Sequence, residues 1–232
     1  MKNTRNRVLW ILVGLLSLGQ LQRIELSLFS HTATLYFHDI FVLGLIFHVL
    51  FTKPYSFLEF VWQFFATRKK LSLFAGITVV STLISVLGSR DTIAVLYFLR
   101  LASYLLFGFS LSFLVTTQQL LPKYLSFQAL SVGFIALFLG FLQYALIPDT
   151  RFLAILGWDD HYRRLIGSYF DPGFTGALFL LALLLGLSNP YVKRVSSKIA
   201  LIPSYTLTII LTFSHATYLA GLLSFVFLAA HS

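Results

Sequence analysis

Cysteine is absent from the chain, so disulfides, thiolate metal ligands and cysteine nucleophiles are excluded. Charge is scarce: 11% of the residues are Asp, Glu, Lys or Arg, against about a quarter in an ordinary soluble domain. Acids are the scarcest of these, eight against seventeen Lys and Arg. No carboxylate pair with enzymatic spacing, Gly-rich nucleotide loop or Ser/His/Asp arrangement occurs. The six histidines form no HxxxH or His-x-x-Glu-His pattern and are read as isolated structural residues, with one exception below. No cofactor or metal is expected, and no catalytic residue is assigned.

What is present is apolar: 58% hydrophobic residues, with a mean hydropathy of +0.86. Several runs approach the roughly 20 residues that cross a hydrocarbon core. Lipid leaves no water for the backbone, so such spans are helices or a closed barrel. Runs such as Leu178–Leu187 lack period-two alternation, which excludes the barrel. The fold class expected is all-α: a polytopic integral membrane helix bundle of about eight transmembrane helices, in one domain over 1–232. The spans fall near Val8–Gln20, Leu35–Phe51, Leu71–Gly88, Ile93–Thr116, Ser126–Ile147, Phe174–Ser188, Ile199–Phe213 and Tyr218–Ser232. The first run follows Lys2, Arg5 and Arg7 as a signal peptide would. Gln20-Leu-Gln-Arg23 then offers no small-x-small cleavage site, so a retained helix is expected.

Charge placement orients these spans. With a cytoplasmic N-terminus, the inner segments carry Lys2, Arg5, Arg7, Lys53, Arg68, Lys69, Lys70, Lys123, Lys193, Arg194 and Lys198. The outer ones carry Arg23, Arg90, Arg151, Arg163 and Arg164; Arg100 lies within a span, and Glu59 is the one inner acid. Such a bias marks the inner side, so the net charge of +9 calls for no nucleic-acid partner. Between spans two and three, Pro54–Thr67 mixes Phe57, Phe60, Trp62, Phe64 and Phe65 with flanking Lys and Arg, as a helix lying in the interface does. Leu120-Leu-Pro-Lys123 is expected as a tight inner turn and Arg90-Asp91 as an outer one, Asp91 capping the next helix. The long outer segment is Pro148–Gly173. The chain closes on Ala229-Ala-His-Ser232 with no basic flank, which reads as a chain cut short.

The richest polar stretch is Arg163–Gly176, where Asp171 suits a helix N-cap and Pro172 its first turn. Arg164 precedes that helix start, where free N–H groups and the positive dipole end favour an anion such as a pyrophosphate; Asp171 competes for the same place. Upstream, Asp160 and Arg164 stand four apart, suited to pairing on one helical turn. Phe152, Leu153, Ile155, Leu156 and Trp158 suit a short helix resting on the membrane. Arg100 lies about seven residues, near 10 Å, below the outer end of its span. A charge at that depth faces a wet cavity or snorkels to the head groups. Tyr97, Ser103 and Tyr104 share its face by spacing, and Gln143, Ser81, Thr82 and Ser85 lie at similar depth, so together they are candidates for an outward polar pocket. His215, in the outer turn Thr212-Phe-Ser-His-Ala-Thr217, is the histidine placed to act as a base.

The motif Arg164…Gly167-Ser-Tyr-Phe170-Asp171-Pro172-Gly173-Phe-Thr-Gly176, with Gln143-Tyr144 before it and Thr212-x-Ser214 after it, resembles the bacterial O-antigen ligase and polymerase family. The resemblance implies an integral-membrane glycosyltransferase-like fold in the bacterial cytoplasmic membrane. It also implies transfer of glycans from an undecaprenyl-pyrophosphate carrier in surface polysaccharide assembly. Arg100 and Arg164 would bind pyrophosphate, with Gln143, Tyr104 and His215 as further substrate-binding candidates. Gly167, Asp171, Pro172 and Gly173 would be the structural motif. The family usually has a second Asn where Gly173 stands and Arg where His215 stands. Its large outer loop with a catalytic His comes later than this chain reaches, so the 232 residues alone are expected to lack transferase activity. The readings from other classes are a small transporter or lipid-handling accessory protein binding an anionic lipid, and a non-catalytic membrane scaffold. The two halves show no paired repeat of the kind transporters often carry.

Overall fold

The computed structural model describes residues 2–28, 31–89, 92–192 and 195–231. They form α1 (Lys2–Leu18), a hairpin of β1 (Arg23–Leu28) and β2 (His31–Tyr36), then α2 (Phe37–Thr52), α3 (Pro54–Thr67), α4 (Lys69–Ser89) and α5 (Thr92–Thr116). The remainder is α6 (Pro122–Leu146), α7 (Pro172–Ser188), α8 (Val195–Thr212) and α9 (His215–His231). Every apolar run expected as a span is thus a helix, and the chain is all-α apart from the hairpin, where the sequence reading expected only loop. Among the described residues, α4, residues 94–116 of α5, and α6 are long and apolar enough to cross a membrane. The pair α2 and α3, bent by 106°, makes a fourth if taken as one span. The other apolar helices are shorter: α7, at 17 residues, is about 26 Å long against a core of about 30 Å. The expected count of eight is therefore three to four by length and composition. The expected turn at Arg90-Asp91 lies outside the described residues.

The chain divides into two compact units, α1 with α6–α9 and the hairpin with α2–α5. In the hairpin unit, β1 and β2 run antiparallel, Arg23 opposite Tyr36 and Glu25 opposite Thr34. Side chains two residues apart share a face, so these four stand together on one side of the hairpin. Pro54 at the start of α3 lacks an N–H to continue α2, and Lys53 between them leaves helical geometry, so the chain turns sharply there. Phe57 of α3 is buried edge-on against Phe113 of α5, while Tyr55 and Trp62 stay exposed. That two-sided pattern is the one read from the sequence of Pro54–Thr67.

In the other unit α7 is the centre. Phe179, Ala182 and Leu183 pack with Ala136 of α6, Leu165 and Tyr169 of the preceding loop, and Tyr205 of α8. Small residues set the approach. A Cβ on Gly133 of α6 would stand 2.4 Å from the Ala182 Cβ, so the two helices meet there at backbone distance. Without a hydrophobic force between helices in lipid, such close contact is a main source of cohesion. Polar side chains in the helices mostly return to their own backbone, as Thr208 does to Ser204 and Tyr205.

Candidate functional site

The loop between α6 and α7 is built around Gln143. Its Oε1 accepts from the N–H groups of Ile166 (3.1 Å) and Gly167 (3.2 Å), and its Nε2 donates to the Ile147 carbonyl (3.0 Å). One amide at the end of α6 thereby satisfies the buried backbone of the segment that leads into α7. Gly167 has φ +56° and passes 3.6 Å, measured from its Cβ position, from the Gly140 backbone. A side chain at Gly167 would meet both the left-handed backbone and that contact. Ser168 Oγ donates to the Ser17 carbonyl and Tyr169 Oη to that of Leu16, each at 2.7 Å, tying the loop to α1.

Asp171 caps α7: its carboxylate accepts from the Phe174 N–H, and Pro172 occupies the first turn. The start of α7 is thus taken by the chain's own carboxylate, and the arginine turns elsewhere. Arg164 donates to the carbonyl of Phe213 (2.8 Å), in the turn between α8 and α9, and the Leu165 N–H donates to the Leu211 carbonyl (2.9 Å). Beside that turn is an open hollow of about 360 Å³ lined by Tyr162, Arg163, Arg164, Phe213, His215 and Tyr218. The sequence reading placed an anion at the α7 N-terminus; the hollow lies instead against the start of α9. Arg163 and Phe213, on its two sides, both hold φ 51°, an uncommon conformation for side-chain-bearing residues.

The rest of the loop separates its charges. Arg151 binds Asp149 through two hydrogen bonds, 2.9 and 2.7 Å, and holds that carboxyl down to about 2. Residues 151–156 make a short 3-10 turn with Leu153 buried and Phe152, Ile155 and Leu156 exposed, close to the membrane-resting element read from the sequence. The expected Asp160–Arg164 pairing does not form, because the segment between them is not helical and Arg164 is committed to Phe213. His161 is buried, which lowers its proton affinity, and the nearby Arg164 lowers it further. Gly173 stands close to both Asp171 and Ser214: a Cβ there would be 3.2 Å from the Asp171 Oδ1.

Arg100 and Tyr104 belong to the hairpin unit and serve a different cluster. Arg100 is neither a free anion ligand nor a snorkelling anchor. It pairs with Asp39 Oδ2 (2.9 Å), donates to the Thr34 carbonyl, and lies over the Tyr36 ring, 4.8 Å from its centroid. Tyr104 Oη donates to Asp39 Oδ1 (2.7 Å) and meets His38 Nε2 at 2.6 Å. The other residues expected around Arg100 do not join it. Tyr97 is exposed, Ser103 donates to the Arg100 carbonyl of its own helix, and Ser81 and Thr82 donate to the Thr78 carbonyl within α4. Asp39 was missed by the sequence reading. The available signal was an acid inside the second apolar run, near the outer end, where Arg100 also falls; charges within spans tend to pair with one another.

The fold and these polar clusters define a helical membrane protein. No protein-family model matches the chain, and neither a curated protein nor a solved structure matches it.

Proposed function

We propose that the chain is an O-antigen ligase- or polymerase-like membrane protein that handles undecaprenyl-pyrophosphate-linked glycans, with the Arg163–Arg164–His215 hollow as the pyrophosphate site. In this reading its eight apolar helices are embedded in the bacterial cytoplasmic membrane, the N-terminus is cytoplasmic and the α6–α7 loop is outside. The observation that carries it is the hollow itself. Two adjacent guanidinium groups and an imidazole converge on one open volume, and neither arginine is in an ion pair among the described residues. Arginine forks match phosphate oxygens, and bonds of this charged kind contribute about 1.5–3 kcal/mol each. Gln143, Gly167 and the Asp171-Pro172 cap act one step back, by holding the backbone that carries Arg164. His215, with its ring edge toward Tyr218, adds a donor when protonated.

The test is binding of undecaprenyl pyrophosphate to purified protein in detergent. Arg164→Ala is expected to weaken it by about tenfold or more, which is ~1.4 kcal/mol. Equal affinity in wild type and in the Arg163→Ala/Arg164→Ala double variant, with both folded, removes the reading. The second reading, a transporter or lipid-handling accessory protein for an anionic lipid, is favoured by one feature, the Asp39–Arg100 pair within apolar helices. It predicts that phosphatidylglycerol competes with the carrier on equal terms, whereas the first predicts a clear preference for pyrophosphate.

A further inference from the structure

Asp39 carries three hydrogen bonds and one counter-ion. Oδ2 accepts from Arg100 (2.9 Å) and from the Tyr36 N–H (3.1 Å), and Oδ1 accepts from Tyr104 Oη (2.7 Å). The carboxylate accepts only, so the single phenolic proton of Tyr104 points to it. The 2.6 Å contact between Tyr104 Oη and His38 Nε2 therefore needs its proton on the histidine. His38, Tyr104 and Asp39 form one unbroken proton path, ending at the group that neutralises Arg100.

A proton reaching His38 Nδ1 can travel that path with every bond accounted for. The new Nδ1–H bond forms as the Nε2–H proton passes to the Tyr104 oxygen, while the phenolic proton passes to Asp39 Oδ1. The products are a neutral His38 in its other tautomer, an intact Tyr104 and a neutral Asp39 acid. Arg100 is then left charged with a carbonyl and an aromatic face but no counter-ion. An unpaired charge among apolar helices is costly and draws in another anion. The Arg100 side chain is 21% exposed, so one is able to reach it.

We propose that Arg100 is a proton-gated site for a phosphate-bearing anion: Asp39 holds the arginine at high pH, and protonation through His38 and Tyr104 exchanges that carboxylate for a phosphate oxygen. The other ionisable groups leave the site's charge to these residues. Tyr36 lies flat under the guanidinium, Arg23 and Glu25 across the hairpin pair with each other, and Glu59, Lys69 and Lys70 belong to α3 and α4 at the far end of α2. This proposal does not rest on the reading given to the Arg164 hollow.

The experiment uses the full chain carrying Arg164→Ala, so that the hollow does not contribute. Dihexanoyl-phosphatidylglycerol is titrated into it in zwitterionic detergent from about pH 8 to pH 5. This phosphodiester keeps one negative charge throughout, so any pH dependence belongs to the protein. Affinity is expected to climb as pH falls, approaching tenfold per unit because one proton enters per anion. Asp39→Asn should bind tightly at every pH, and Arg100→Gln should lose the pH-dependent binding. Glycerophosphoglycerol, which lacks the acyl chains, separates a lipid ligand from a free phosphodiester: weaker binding than the lipid assigns a headgroup, equal binding a soluble anion. A flat profile in the parent, or a slope that persists in Arg100→Gln, overturns the proposal even if Asp39→Asn fails to fold.

Discussion

At the scale of single residues, Gln143 and His161 decide how the loop before α7 is held. Gln143 takes two buried backbone N–H groups, and replacing it with Leu leaves both without a partner. Unpaired buried donors cost about 1–3 kcal/mol. Gln143→Leu is expected to make the loop open to limited proteolysis at lower temperature than wild type, and equal protection would show that the amide is dispensable. His161 gives a pH signature. Burial, then Arg164, place its folded proton affinity below the ordinary 6.5, so the unfolded chain takes up the proton first. The contribution of neutral His161 is whole above 6.5 and declines as pH falls below it. Thermal unfolding should therefore lose stability on acidification through that range in wild type, and lose less in His161→Gln.

Among elements, close helix approach dominates. Gly133 lets α6 meet α7 at Ala182 with no room for a methyl group. Gly133→Ala forces the helices apart, and overpacking of this kind costs about 1–3 kcal/mol. The swap Gly133→Ala/Ala182→Gly returns the methyl to the same contact and should recover most of the lost thermal stability; a double variant no better than the single one would locate the strain elsewhere. The hairpin is held by contacts of another kind. Arg100 joins β2 to α2 and α5 through the Thr34 carbonyl and Asp39, so its placement depends on one intact charge pair.

For the whole molecule, orientation is the open physical quantity, and the absence of cysteine makes it measurable. Single cysteines at Lys70 and Lys123 should be shielded from a membrane-impermeant maleimide in intact spheroplasts. One at Ile155, which is 87% exposed, should be labelled at once. The reverse pattern would invert the Lys/Arg reading. Whether α7, α8 and α9 cross fully despite their lengths is answered by the same scan extended to Ser188 and Phe213.

Helix positions were legible in the sequence because lipid imposes a local rule: an apolar run must close its own backbone hydrogen bonds, and nothing distant alters that. The start of α7 was legible for the same reason, since Asp171 and Pro172 act within one turn. The paired charges were not. Arg100 finds Asp39 across 61 positions and Arg164 finds Phe213 across 49, and no local pattern encodes either distance. The sequence alone determined an all-α membrane protein, a set of helical segments and two conspicuous arginines. Only the tertiary structure decided that one arginine is already neutralised while the other opens onto a hollow, because a charge's partner is set by which helices pack together.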